Sequence, residues 1–354
     1  MKKQPPPSTQ QPQQIQSRII QKEVFWVYQP QSVQQSAFEQ YLTLNQKEIY
    51  NLQQQQQVGY MENIQQVSNS INNHLHPCLQ NNTQDQFLRF NSVNVDWLTL
   101  KLIHLFINNS NLMAIDFRHN RFTIQELDVV YQIFAFQRIT KAFIEYNPNV
   151  NILKLSPLYN LEFIYLRGNE IENNAIVQFM AGLHNRVRVL ELGVNKISQE
   201  GVDAIAEYMG KHNVLEYLGL AQNSIKSFQD IKLLANSFGK NRITAEEFSK
   251  IQELEQQREL QVQKFQKQKK KYTEEMLIQV PPYVKIDNFN YTLQNPQFKL
   301  LNLSDNQMVE QDRDQIDKFL SRLLDTQSVV LTNNLFEHST RAKLRKKYKK
   351  CVVI

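Results

Sequence analysis

One short segment of this chain has the residue types of a metal site. His74-Leu-His76-Pro-Cys78 places three zinc-ligating side chains within five positions. A closed zinc site takes four such ligands, and no second cluster of His or Cys follows in the sequence. A polar loop is therefore the favoured interpretation of this segment, and no metal ion or cofactor is predicted.

A second segment suggests lipid chemistry. Cys351-Val352-Val353-Ile354 fits the C-a-a-X pattern, in which the Cys thiol is prenylated. The preceding residues, RAKLRKKYKK, are polybasic, and one lipid chain together with charge attraction gives stable attachment to an anionic membrane. The sequence thus allows lipidation of Cys351 and peripheral membrane contact through the basic C-terminus.

The sequence contains no motif of a known catalytic machinery. A P-loop, a G-x-S-x-G nucleophile turn and an H-E-x-x-H zinc motif are all absent from it. Eight of the 354 residues are Gly, which argues against the glycine-rich loops that cradle nucleotide phosphates. A non-enzymatic protein without a catalytic residue is predicted.

The positive charge of the chain is concentrated at one end. The net charge is +6, and from His338 onward there are seven Lys or Arg and no acid. Because the remainder is close to neutral, a nucleic-acid-binding body is not predicted. Two Cys suit a reducing compartment rather than a disulfide scaffold. With no apolar run of 18 residues in the sequence, a cytoplasmic protein is expected.

An internal sequence repeat predicts the strands and helices of most of the chain. The template L-x-x-L-x-L-x-x-N-x-I is filled around Asn195 by Val187, Leu190, Leu192 and Ile197. It recurs around six further Asn, most weakly at position 147, and also around Val93, where the Asn is lost. The positions are 93, 120, 147, 169, 195, 223, 306 and 334, in steps of 27, 27, 22, 26, 28, 83 and 28. The step of 83 holds one repeat plus about 55 extra residues.

Each repeat is predicted to contain a short strand, a turn at the Asn and an amphipathic helix. The L-x-L alternation has the period of a strand, whereas Val202, Ile205 and Met209 have the spacing of one helical face. The Asn amide offers both donors and an acceptor to the backbone of a buried turn. A single unit cannot bury both of its faces, so neighbouring units are expected to stack into a solenoid.

The pattern resembles the leucine-rich repeats of the ribonuclease-inhibitor class, whose repeats are about 28 residues long. The segment Ile197-Ser-Gln-Glu-Gly201-Val-Asp-Ala-Ile205 matches the I-x-x-x-G-x-x-x-L phrase of that class, with Ile in place of the last Leu. The other units lack this Gly, and Ala175 stands at its place one unit earlier. The resemblance covers about residues 85–240 and 298–354. It implies an α/β horseshoe with parallel strands on the concave face and helices on the convex face.

The organisation of the chain follows from where the repeats stop. The predicted parts are a disordered Gln/Pro-rich tail (1–22), a partly ordered N-terminal cap (23–84), leucine-rich repeats (85–240), a charged helical insertion with a return loop (241–297), and the final repeats with the basic C-terminus (298–354).

The insertion is predicted to form one long helix over residues 241–280. Its apolar residues form a thin stripe, and acids precede basic residues along it, as the helix dipole favours. The stripe consists of Phe248, Ile251, Leu254, Val262 and Phe265. Three roles remain open for it: a flexible spacer, a partner-binding arm, or a segment that packs back onto the solenoid.

The repeat also offers another interpretation of the C-terminus. A helix that begins near Ser339 follows Asn334 at the expected distance, and the next strand falls where Cys351–Ile354 stands. A short capping strand would explain Val352 and Ile354 without a lipid, and the basic run would then be a solvated helix face.

Residues six, four and two positions before each Asn should lie on the strand face that points away from the helices. Aromatic and Arg side chains, the types that anchor protein interfaces, occupy several of these positions and predict a partner-binding site there. The candidate residues are Arg118, Phe143, Phe163, Tyr165, Arg167 and Tyr217. The alternative is that the N-terminal cap or the inserted arm covers these residues.

These patterns favour a scaffold or adaptor that binds a protein partner through the concave face. Three other functions remain open. The Ran GTPase activator is built on the same repeat class, although no residue here matches a catalytic Arg. A lipid-anchored scaffold on the cytoplasmic face of a membrane and a cytoskeletal or ciliary component are the others, the last by family analogy alone.

Overall fold

A computed structural model describes residues 87–92, 95, 97–108, 112–286, 289–309, 313–324 and 326–354. The predictions of a disordered tail over 1–22, of a cap over 23–84 and of a polar loop at His74–Cys78 lie outside these residues. Within them, the chain is a mixed α/β structure dominated by one parallel sheet.

The elements alternate along most of the chain. The strands are β1 (Phe87–Arg89), β2 (Ala114–Asp116), β3 (Lys141–Phe143), β4 (Phe163–Tyr165), β5 (Val189–Glu191), β6 (Tyr217–Gly219), β7 (Lys240–Arg242), β8 (Tyr283–Ile286), β9 (Phe289–Leu293), β10 (Leu300–Asn302), β11 (Ser328–Val330) and β12 (Val352–Val353). The helices are α1 (Trp97–Asn108), α2 (Ile124–Phe134), α3 (Asn173–Gly182), α4 (Gln199–Lys211), α5 (Lys232–Phe238), α6 (Ala245–Lys267), α7 (Arg313–Leu320) and α8 (His338–Lys347).

Nine of these strands form one sheet in the order β1-β2-β3-β4-β5-β6-β10-β11-β12. Every neighbouring pair is parallel, and equivalent repeat positions face each other, as Val189 faces Tyr217 and Tyr217 faces Leu300. Because consecutive strands lie side by side with a crossover between them, the arrangement is compatible with an α/β solenoid.

The core between the sheet and the helices is formed by the alternating apolar residues of each strand and the apolar face of each helix. In the unit of Asn195, Leu190 and Leu192 point to the helices, and Val202, Ile205 and Met209 of α4 are fully buried against them, as predicted. Between β3 and β4 a short 3₁₀ helix, Ile152–Lys154, replaces the α-helix. This substitution accounts for the shorter step of 22.

The repeat Asn side chains form a hydrogen-bonded spine through the turns. The side-chain Oδ1 of Asn195 accepts from the backbone N–H of Asn169 (3.1 Å) and of Ile171 (3.0 Å) in the preceding repeat. Its Nδ2 donates to the carbonyls of Leu166, Leu192 and Gly193 at 2.8–3.1 Å. The other repeat Asn residues are buried in the same way. The predicted role of the Asn as a turn residue is confirmed.

The residue before each Asn adopts a left-handed backbone conformation, with φ between 54° and 70°. These residues are His119, Tyr146, Gly168, Val194, Gln222, Asp305 and Asn333. Gly168 also permits a close approach, because a Cβ atom there would lie 2.3 Å from Cδ1 of Tyr146.

The insertion leaves the main sheet unbroken. Strand β6 pairs directly with β10, which confirms that the 83-residue step contains one repeat and an excursion. The excursion differs from the predicted single helix and return loop. Helix α6 ends at Lys267, and β8 and β9 form an antiparallel hairpin whose second strand pairs with β7. We call residues 240–293 the arm.

The long helix predicted over 241–280 forms, but it spans only Ala245–Lys267, because the chain reverses at Lys269, whose φ is 51°. There the N–H of Lys270 donates to the carbonyl of Phe265, and that of Lys269 to the carbonyl of Gln266. This is the Schellman pattern of a helix C-terminus. Of the predicted apolar stripe, Ile251 is buried and the remaining members are half-buried.

The capping strand predicted at the C-terminus is confirmed. Val352 and Val353 form β12 and pair in parallel with β11. Ile354 is buried, and its carbonyl accepts hydrogen bonds from the Arg345 guanidinium. Cys351 is half-buried, with its Sγ 3.7 Å from the Tyr348 carbonyl oxygen. In this fold the Cys351 thiol is part of a packed turn.

Candidate partner-binding surface

The six candidate residues all lie on the face of the main sheet opposite the helices, which we call the second face. It is formed by the residues six, four and two positions before each repeat Asn, and its buried side chains form clusters separate from the main core. Within this face the six residues are not equally accessible.

Phe143 and Tyr165 are buried, with 0% and 2% of their surface exposed. The prediction that they belong to an exposed patch is therefore wrong. Their rings stack at a centroid distance of 4.4 Å and an angle of 7°, and Phe87 packs against Phe143 at 5.3 Å. Aromatic side chains at matching positions of parallel neighbours are close enough to cover one another. Burial also raises the pKa of the Tyr165 hydroxyl, with smaller contributions from Glu145 and Glu191.

No described hydrogen bond of the arm reaches the second face. Besides those within it, described hydrogen bonds connect the arm to α5 and to the segment after α7. Nδ2 of Asn241 donates to the carbonyl of Asn236, and the N–H of Lys240 donates to the carbonyl of Arg322. The predicted N-terminal cap lies outside the described residues.

Phe163 is partly exposed and lies between two cations. The Lys141 ammonium is 4.9 Å from its ring centroid, and the Arg188 guanidinium carbon is 5.5 Å away. Cations over an aromatic face are attracted by the ring quadrupole. Burial lowers the pKa of Lys141, which Glu162 partly offsets. Phe163 is therefore an aromatic side chain with a positively charged rim.

Tyr217 and Arg167 are held by one buried carboxylate, that of Glu191. The Tyr217 hydroxyl donates to Glu191 Oε2 at 2.5 Å, and the Gly193 N–H donates to Oε1 at 2.7 Å. Nη1 of Arg167 is 3.7 Å from Oε1. Nε of Arg167 also donates to the Tyr146 hydroxyl at 3.0 Å. Arg167 and Tyr217 therefore present half-exposed side chains in defined positions.

Arg118 is fixed in a similar way by Asp116. The Arg118 Nε and Nη2 atoms donate to the two carboxylate oxygens of Asp116 at 2.8 and 2.5 Å. Nε also lies 3.7 Å from the Glu145 carboxylate, and the guanidinium carbon is 5.8 Å from the Phe143 ring centroid. Paired charges of this kind are oriented by their neighbours, which reduces the entropy lost when a partner binds.

A row of charged residues borders the second face and was missed by sequence reasoning. It lies seven positions before the Asn of four successive repeats and alternates in sign: Glu162, Arg188, Glu216 and Lys299. Arg188 pairs with Glu216 at 2.5 Å and with Glu162 at 3.6 Å, and Lys299 pairs with Glu216 at 2.7 Å. Comparing repeats one residue further upstream would have found this alternation.

In the described part of the chain, no group of three or more His, Cys, Asp or Glu side chains could hold a metal ion. Nor does any helix among the described residues have the length and apolarity to cross a membrane. The second face combines oriented Arg and Tyr side chains with one cation-flanked Phe.

Comparison of the chain with models of known protein families gave no match, and comparison with curated proteins gave none either.

Proposed function

We propose that this chain is a leucine-rich-repeat protein of the ribonuclease-inhibitor class, and that its second face is the concave face of a horseshoe. The repeat spacing, the parallel register and the buried Asn spine support this proposal. On the same basis, the protein is a non-enzymatic scaffold that binds a protein partner through the second face.

One observation carries the binding proposal: Phe163 and Tyr217 are partly exposed on a face where Phe87, Phe143 and Tyr165 are buried. The cation neighbours of Phe163, together with Arg118, Arg167 and Tyr217, supply the aromatic and Arg anchors that dominate binding energy in protein interfaces. Phe143 and Tyr165 serve as the packed base beneath them. The partner is expected to place an apolar side chain at Phe163 and acidic groups beside Lys141 and Arg188.

The test is quantitative affinity capture followed by binding of the purified partner. Phe163→Ser and Arg167→Ala should each lower capture of at least one protein tenfold or more, because each removes an anchor without opening the core. Tyr159→Ser is the matched control, since Tyr159 is an aromatic residue that is 68% exposed in a turn between repeats. Retention of every captured protein by both second-face variants would exclude this face as the binding site.

A further inference from the structure

Residues 263–272, which we call the tip of the arm, carry a dense cluster of positive charge. Their sequence, QKFQKQKKKY, contains five Lys and no acid. Lys264, Lys267, Lys269, Lys270 and Lys271 are all exposed, and none has an ion-pair partner among the described residues. Of the two acids that follow, Glu274 is paired with Arg258, and Glu275 is exposed.

The fold holds these lysines together. The Schellman hydrogen bonds after α6 reverse the chain at Lys269, and the ring of Phe265 stacks on that of Tyr272 at 5.4 Å and 20°. Lys269 occupies the left-handed position that Gly usually takes at a helix C-terminus. The lysines are thus displayed on a structured turn, and no residue in the described part of the chain forms an ion pair with them.

Apolar side chains lie beside the charge. Leu260 is 65% exposed and shares a side of α6 with Lys264 and Lys267, because residues four and seven apart fall on one helical face. Met276 is 54% exposed, and its carbonyl accepts from Nε2 of Gln261 at 2.9 Å, which places Met276 beside Gln261 on the side of α6 that contacts the return segment. Exposed Leu and Met side chains therefore adjoin the five lysines of the tip.

We propose that the arm tip binds an anionic phospholipid surface, with the lysines at the headgroup phosphates and Leu260 and Met276 in the boundary with the acyl chains. Lysine ammonium groups and flanking apolar side chains are the combination that binds such surfaces. Nucleic acid is the less suitable partner, because Phe265 and Tyr272 stack on each other rather than offering a face to a base. The proposal is independent of the partner-binding function of the second face.

The experiment is flotation of the full chain with vesicles of phosphatidylcholine alone and of phosphatidylcholine with phosphatidylserine. Wild-type protein should float only with the anionic vesicles, and less at higher salt. Replacing the five tip lysines with Gln should weaken binding at least roughly a hundredfold, since each Lys near an anionic leaflet strengthens binding about fivefold. Leu260→Ser with Met276→Ser should weaken it several-fold with no change in charge.

Two controls make the result decisive. Lys343→Gln, Lys346→Gln and Lys350→Gln together remove three exposed charges of α8 and its following turn, and this variant should bind nearly as well as wild type. An equal loss in that variant would show attraction by overall charge and overturn the proposal. Binding of single-stranded RNA that depends on the tip lysines but not on Leu260 or Met276, without vesicle binding, would also overturn it. Circular dichroism confirms that each variant is folded.

Discussion

Tyr217 and Glu191 join two neighbouring strands of the second face, because the Tyr217 hydroxyl donates to the buried Glu191 carboxylate at 2.5 Å. Gly219 faces Glu191 in the parallel register, and its lack of a side chain leaves room for that carboxylate. A Cβ atom at position 219 would lie 2.0 Å from Glu191 Oε2.

Gly219→Ala is therefore expected to lower the free energy of unfolding by about 1–3 kcal/mol. The carboxylate must move away from the new methyl group, and this movement breaks its hydrogen bonds to Tyr217 and the Gly193 N–H. Urea unfolding measures the change. Gly210→Ala is the control, because the added Cβ there would meet no atom within 4 Å beyond its chain neighbours and the backbone of its own helix. It should stabilise α4 by roughly 0.5–1 kcal/mol, and a similar loss in both variants would contradict the packing argument.

Asn195→Ala is expected to destabilise the chain by about 3 kcal/mol or more. The change leaves the buried N–H groups of Asn169 and Ile171 without their acceptor, and unsatisfied buried groups cost about 1–3 kcal/mol each. Asn174→Ala, on the exposed start of α3, should change stability by less than about 0.5 kcal/mol. Chemical denaturation of the two variants side by side provides the measurement. Equal losses of stability in the two variants would show that the Asn195 hydrogen bonds do not stabilise the fold.

Stability is expected to fall as pH rises above about 10. Burial raises the pKa of Tyr131 to about 12 and that of Tyr217 well above its usual value, where Glu191 adds to the effect. Between pH 10 and 12 the unfolded chain loses these hydroxyl protons while the folded chain keeps them, so the stabilisation present at lower pH is lost.

Unfolding in urea at pH 8, 9, 10 and 11 tests this dependence. Tyr131→Phe removes one of the titrating groups and should make the decline above pH 10 shallower than in wild type. The hydroxyl of Tyr131 accepts a 2.7 Å hydrogen bond from the Asn151 N–H, so the variant should also be less stable at pH 8. An identical slope in the two proteins would mean that Tyr131 does not contribute.

Removing the arm should leave the main sheet intact. Arg242 and Tyr291 face each other in the β7–β9 pair, so Asn-Gly in place of residues 243–290 would join them as a two-residue hairpin. The free energy of unfolding is expected to change by roughly 1 kcal/mol or less, because β6 pairs with β10 without help from the arm. Loss of cooperative unfolding in this variant would show that the arm supports the sheet.

The periodicity of the sequence predicted the arrangement of the sheet well. The Asn spacing located the strands from β2 to β6 and again at β10 and β11, and it correctly joined Tyr217 to Leu300 across 83 residues. This success has a physical basis, since each Asn satisfies the backbone of a turn that every repeat must make. It also gave the right face for each candidate side chain.

Exposure and the arm were predicted less well. Periodicity assigns Phe143 to a face, but its burial depends on contacts with Phe87 and Tyr165 in other repeats. The β8–β9 hairpin had a readable signal that was missed, namely alternating apolar residues around Asp287-Asn288. The turn at Lys269 had no such signal, because Lys rather than Gly occupies the left-handed position.

The Asn spine has a direction, and this makes the two ends of the array chemically unlike. The backbone N–H of one repeat donates to the Asn Oδ1 of the next, as Asn147 does to Asn169, while each Nδ2 reaches back to a carbonyl of the repeat before it. A cut at a repeat boundary would thus leave a backbone N–H of the upstream fragment without its acceptor. On the downstream fragment, the Asn Oδ1 would lose its donors. Each fragment therefore lacks hydrogen-bond partners that the other fragment carries. Because reassociation restores these hydrogen bonds, the two fragments are expected to reassociate in the original order.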